Sequence, residues 1–150
     1  MATVRLEGVD NILAELRKRG IKLTDGLEQI TTAGALVIEK AASANASAIS
    51  DTIANNIEHK TLSKGKRGVV VGVAPTRRAW FAPFVEDGTA NHSIEPRNQK
   101  ALKLEGGNIV KRVGNNPGIS PHPFMRPAVD ENGQEVQAAM GDETKRVLGL

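Results

Sequence analysis

The sequence predicts an α+β fold: a small antiparallel sheet of about four strands, in two hairpins, packed against two N-terminal helices and a C-terminal helix. Three observations predict it. Apolar residues recur at helical spacing near both ends of the 150-residue chain. Val69, Val71 and Val73 alternate with Val70 and Gly72 directly after a glycine-containing turn. Two further short strand-like runs flank Gly106-Gly107.

Val9, Ile12, Leu13 and Leu16 lie at i, i+3, i+4 and i+7, one apolar stripe on a first helix that ends in Arg17, Lys18 and Arg19, with Gly20 placed to stop it. Asp25 followed by Glu28 reads as a capping box opening a second helix. Leu27, Ile30, Gly34, Val37, Ile38 and Ala41 share a face of that helix, and its pattern runs to about residue 44. The small polar residues 43–50 suggest a linker or a fraying end.

From residue 53 to 62 the pattern is strand-like, with Ile57, His59 and Thr61 on one side. Residues 63–68 form a turn by their glycines and lead into the valine strand, completing the first hairpin. Trp80, Phe81, Phe84 and Val85 then fall at helical spacing for a turn or two; Pro83 is tolerated in a first turn, and Gly88 can end it. Residues 101–104 and 109–113 form the second hairpin around Gly106-Gly107, with residues 115–118 as a loop. One last helix begins near Pro127, with Val129, Val136, Met140 and Val147 on a face, and Gly133 in its interior costs it about 1 kcal/mol against alanine. The whole reads as one domain, 1–150, with an extended hairpin-containing loop at residues 91–120.

Only four aromatic residues occur, so the core is built from small aliphatic side chains, each worth about 1.5–3 kcal/mol when fully buried. There is no cysteine, hence no disulfide or thiol chemistry. The opening residues show no secretory pattern and no apolar run approaches the ~20 residues that span a bilayer, so no membrane partner and a cytoplasmic site of synthesis are expected. Net charge is +3 and unevenly spread. Between Glu58 and Glu86 there is no acid, while Lys60, Lys64, Lys66, Arg67, Arg77 and Arg78 are all basic. Acids gather towards the end as Asp130, Glu131, Glu135, Asp142 and Glu143. This polarity suits self-association or docking on a charged partner; solvated loops and a solvated helix face are the plain alternative.

Three stretches carry a resemblance. The first is Trp80-Phe81-Ala82-Pro83-Phe84-Val85-Glu86-Asp87-Gly88-Thr89. The second is Lys100-Ala101-Leu102-Lys103-Leu104 before the Gly-Gly turn. The third is Asn116-Pro117-Gly118-Ile119, running into His122-Pro123-Phe124-Met125-Arg126-Pro127-Ala128. With the opening Val4-Arg5-Leu6-Glu7-Gly8-Val9-Asp10, they resemble the head–tail joining (tail-completion, or neck) proteins of tailed double-stranded DNA bacteriophages over nearly the whole chain. Where related sequences often carry Thr-Gly after the second helix, this chain reads Ser47-Ala48-Ile49-Ser50-Asp51-Thr52-Ile53.

The resemblance implies a structural virion protein at the neck, assembled in the host cytoplasm, with neither catalytic residues nor a cofactor. It would form a ring of itself, six copies to match the tail, between a head-side connector or stopper protein and the tail terminator or tail tube, around the viral DNA. A closed ring needs two different patches of each subunit to meet. The basic region 60–78 and the acidic stretch 130–143 form such a pair, and residues 91–120 are the candidate contact for a different virion protein.

In the motifs, Gly88 and Thr89 fit a helix-ending turn with a capping role for Thr89, and Glu86 stands within reach of Arg77, Arg78 or Arg126 for an ion pair. Pro123 and Pro127 stiffen a loop that presents Phe124 and Met125. Phe124 either fills its own domain's core or inserts into a neighbouring subunit.

Enzymatic function finds little support. His59, His92 and His122 lack metal-ligand spacing, and no phosphate loop or nucleophile elbow occurs. Glu86, Asp87 and His92 could be drawn as an acid/base cluster, but acids beside a Gly-Thr turn more often cap it. The alternatives are a non-specific DNA-binding module whose basic 60–78 region contacts phosphates, or a tail-terminator ring. Against the module, there is no reading helix, and the aromatics are not interleaved with the basic residues.

Overall fold

A computed structural model describes residues 2–5, 9–18, 23–65, 68–97 and 100–150. The chain is α+β, as predicted, and divides into two compact units, one of residues 1–82 with 123–150 and the other of residues 83–122.

In the first unit, β1 (Ala2–Arg5) precedes α1 (Val9–Lys18) and the 25-residue α2 (Leu23–Ser47). One helical turn, α3 (Asp51–Ala54), leads to β2 (Ile57–Gly65) and β3 (Gly68–Pro75). The three strands form an antiparallel sheet in the order β1-β3-β2. After Thr76 come a 3-10 turn (Arg77–Ala79) and α4 (Ala82–Glu86), where the chain passes into the second unit. It returns through α5 (Met125–Asp130) and α6 (Gly133–Leu148).

Helix α2 is the axis of this unit, about 37 Å long at 1.5 Å per residue. It packs against the sheet, α5 and α6, which is why it is buried on more than one side. Leu27, Ile30, Ala35, Ile38, Ala42 and Ala46 are all buried along it, and its alanines let neighbouring elements approach closely. From β3, Val69, Val71 and Val73 are buried, the alternation read in the sequence. Phe124 at the start of α5, Met125 and Ala128 within it, and Met140 and Leu148 from α6 complete the core. Thr31, the one buried polar residue among those described, donates its hydroxyl to Leu27 O at 2.7 Å.

The second unit contains two two-stranded ribbons, and no described residue of 83–122 is buried. One pairs β4 (His92–Ile94) with β7 (Val113–Asn116); the other pairs β5 (Leu102–Lys103) with β6 (Ile109–Val110). Gly106 and Gly107 turn the second ribbon with φ of +88° and +85°. Main-chain hydrogen bonds hold the base of the excursion. Thr89 and Ile119 exchange N–H···O bonds of 2.9 and 3.3 Å, and His122 N–H donates to Val85 O at 2.8 Å.

Several boundaries differ from expectation. Strand β1 adds an edge that the sequence pattern did not separate from the approach to α1. Residues 47–53 include the end of α2 and most of α3, so β2 starts at Ile57 and not at 53. A bulge between Thr61 and Ser63 leaves Leu62 out of the register and 47% exposed. Val113, expected in the second hairpin, pairs with Ile94 instead and draws Asn115 and Asn116 into a strand. The single C-terminal helix is two helices. Its break at Glu131-Asn132 puts Gly133 at the first position of α6, where its low helix propensity costs least. The side chains of Val9, Ile12, Leu13 and Leu16, and Arg19 and Gly20 altogether, lie outside the described residues.

Candidate interaction surfaces

The basic region separates into engaged and unengaged cations. Lys64 Nζ donates to Asp25 Oδ1 at 2.6 Å and to Glu28 Oε2 at 2.7 Å, and Thr61 Oγ1 donates to Glu28 Oε1 at 2.7 Å. Asp25 and Glu28 are therefore not the expected capping box: α2 begins two residues before Asp25, and both carboxylates turn to the β2 lysine. The hydrogen bond from Lys64, then that from Thr61, holds the Glu28 carboxyl below its ordinary value of 4.5. Asp25 and then Glu28 hold the Lys64 ammonium above 10.5. Lys64 is thus neutralised within its own chain, which weakens it as a contact for a neighbour. Lys66 and Arg67 lie outside the described residues.

Lys60, Arg77 and Arg78 are exposed and have no ion-pair partner among the described residues, so Glu86 does not pair with either arginine. Arg77 and Arg78 border an open hollow of about 380 Å³ with Asn56, Glu58 and Thr76. Thr76 Oγ1 accepts from Arg78 N–H at 3.3 Å and donates to Asn56 Oδ1 at 3.4 Å, fixing the 3-10 turn that carries the arginines.

The acidic stretch separates in the same way. Asp142 pairs with Lys145 at 3.0 Å, and Glu143 with Arg146, which holds the Glu143 carboxyl below its usual range. Asp130, Glu131 and Glu135 are exposed, with no ion-pair partner among the described residues. Arg126 is exposed one turn before Asp130.

The aromatic motif is not core. Trp80 is 70% exposed and Phe84 48% exposed, and Trp80 meets Phe81 edge-on at a centroid distance of 6.1 Å. Ala79, just before this motif, and Ala82 within it are fully buried, so the alanines anchor the segment while the Trp80 and Phe84 rings are exposed and Phe81 is half-buried.

Phe124 is the opposite case. It is fully buried and Met125 is 8% exposed, so within one chain both fill the core under α2, and the inserting-plug alternative has no exposed ring to use. Asn45 Nδ2 donates to Phe124 O at 3.2 Å, tying the turn between Pro123 and Pro127 to α2.

Gly88 and Thr89 act together. Gly88 has a φ of +72°, and a Cβ there would stand 2.7 Å from Ile119 O. Thr89 does not cap the preceding turn: its Oγ1 accepts from Ile119 N–H at 3.0 Å, adding a third bond to that bridge.

Among the described residues no group of three His, Asp or Glu side chains is placed to hold a metal ion, and no helix is long and apolar enough to cross a membrane. No family of known proteins, no curated protein and no solved structure matches the chain.

Proposed function

We propose that this chain is a structural virion protein of a tailed bacteriophage, which assembles with copies of itself into a ring joining the head connector to the tail around the DNA path. The observation that carries this reading is the excursion 83–122: forty residues built from two-stranded ribbons with no described residue buried. An isolated two-stranded ribbon is marginally stable in water at best. A segment of this kind gains its stability when another surface covers it. The exposed Ile94, Ile109, Ile119 and Phe84 provide the apolar area for such a contact. The motif resemblance supplies the kind of assembly, and the tail-terminator ring is its closest variant.

Sedimentation of the purified chain tests the reading, together with antibody labelling of phage particles at the head–tail junction. A species about six times the 16.0 kDa of one chain, and label at the neck, are expected. A strict monomer absent from particles defeats the proposal.

A second reading, a DNA-binding module, is favoured by the unpaired Lys60, Arg77 and Arg78. Phosphate contacts weaken steeply with salt. Tight DNA binding by the monomer, lost between about 0.05 and 0.2 M salt, favours the module over the ring.

A further inference from the structure

The tip of the excursion carries an apolar face that its own ribbon leaves open. In the β5–β6 ribbon Lys103 stands directly across from Ile109, so both side chains lie on one face. Ile109 is 73% exposed, and Lys111, two residues further on, is exposed as well. The opposite face, Leu102 against Val110, is half-buried. One side of the ribbon is therefore an exposed isoleucine beside Lys103, with Lys111 just past the end of β6. Residues 100–112 carry a net charge of about +3 at neutral pH, and of these charges Arg112 is paired with Glu95 at 3.3 Å, which leaves the lysines as the free cations among the described residues.

The junction of α5 and α6 presents the complement. Val129 is 41% exposed, Asp130 and Glu131 follow it directly, and Glu135 lies in the first turn of α6. With Arg126 included, residues 126–135 carry about −2. The three acids have no ion-pair partner among the described residues, whereas Asp142 and Glu143 further along α6 do.

We propose that the Ile109 face of one copy docks on the Val129 shoulder of a second copy, isoleucine against valine, with Lys103 and Lys111 meeting Asp130 and Glu131. This rests on the ring-forming reading and specifies its interface. Complementary charge fixes partner and register, and the apolar pair at the centre is the part that becomes desolvated. The two patches are different, so the contact is heterologous and can propagate from copy to copy until a ring closes. It also replaces the pairing suggested by the sequence. The acidic partner is retained in part, but the basic one moves from region 60–78, where Lys64 is already neutralised, to the ribbon tip.

The chain has no cysteine, so a disulfide can report the contact directly. Ile109→Cys and Val129→Cys chains are purified separately, mixed and mildly oxidised, and sedimentation of the unmodified protein is run alongside. The mixed disulfide dimer is expected to exceed the Ile109→Cys homodimer. Adding Lys103→Glu and Lys111→Glu to the first chain should lower its yield about tenfold, and adding Asp130→Lys and Glu131→Lys to the second should restore it. If the unmodified protein forms rings but no mixed dimer appears, or if its yield ignores the reversals, the docking is overturned and the ring reading stands. If the unmodified protein is monomeric throughout and no mixed dimer forms, both fall.

Discussion

The Glu39 carboxylate reaches from α2 around the edge of the sheet to His59. Its Oε2 accepts the His59 backbone N–H at 2.8 Å and hydrogen-bonds the ring Nδ1 at 2.7 Å. Strand β2 is an edge strand, and the bonded N–H is one that the sheet leaves unpaired. A carboxylate there occupies the position an approaching strand would take, one of the ways in which proteins blunt sheet edges. Glu39→Ala should therefore destabilise the protein by about 1–3 kcal/mol, because a part-buried donor loses its acceptor. Glu39→Gln, which keeps a carbonyl oxygen, should recover most of the loss. Urea unfolding of the three proteins measures both effects.

The Lys64 cluster makes a prediction in pH. Glu28 has a lowered pKa in the folded protein, so it contributes stability that is present above its ordinary 4.5 and is lost as pH falls through the folded value. Lys64 has a raised pKa, so its contribution is present below 10.5 and lost as pH rises through the folded value. Between those limits Lys64→Met should lower Tm. The difference from the unmodified protein should shrink below pH 4.5 and with added salt, since all three groups are partly exposed. A difference that persists at pH 3 would assign the effect to packing of the lysine stem.

Local patterns made the fold class legible, and long-range partners made the rest illegible. Val69, Val71 and Val73 and the Leu27–Ile38 stripe were readable because burial follows the period of a strand or a helix. Val113 falls outside the expected hairpin because a short strand's partner is not encoded nearby: Ile109 to Val113 reads as one continuous strand, and only the tertiary arrangement takes Val113 out of it to pair with Ile94. Asp25 and Glu28 matched a capping pattern, yet a lysine 36 residues beyond Glu28 competes for the same carboxylates. The charge blocks were plain in the sequence. Which charges cancel within the chain, and so which remain for a partner, required the structure.

Phe124 separates core from interface. Truncating a fully buried phenylalanine costs about 3–5 kcal/mol. Phe124→Ala should lower the stability of the isolated chain by that amount in urea unfolding, at concentrations too low for assembly. Unchanged monomer stability with lost assembly would instead make Phe124 an inter-subunit plug. Trp80→Ala should behave in the opposite way: the ring is 70% exposed, so stability should change by less than about 0.5 kcal/mol.

Gly118 tests whether the excursion stands apart from the core. Its φ is +78°, and a Cβ there would sit 2.1 Å from Thr89 O, an atom of the bridge that closes the base of the excursion. Gly118→Ala must push that carbonyl away or abandon the left-handed backbone, a local cost of about 1–3 kcal/mol or more. Gly114, with open space around it and no positive φ, is the control and should tolerate alanine. Because no described residue of 83–122 is buried, the damage should remain local. Hydrogen exchange at the Thr89 and Ile119 amides should accelerate, amides along α2 should keep their protection, and assembly should be lost. If α2 loses protection in step with Ile119, the two units unfold as one and the excursion is part of the core's cooperativity.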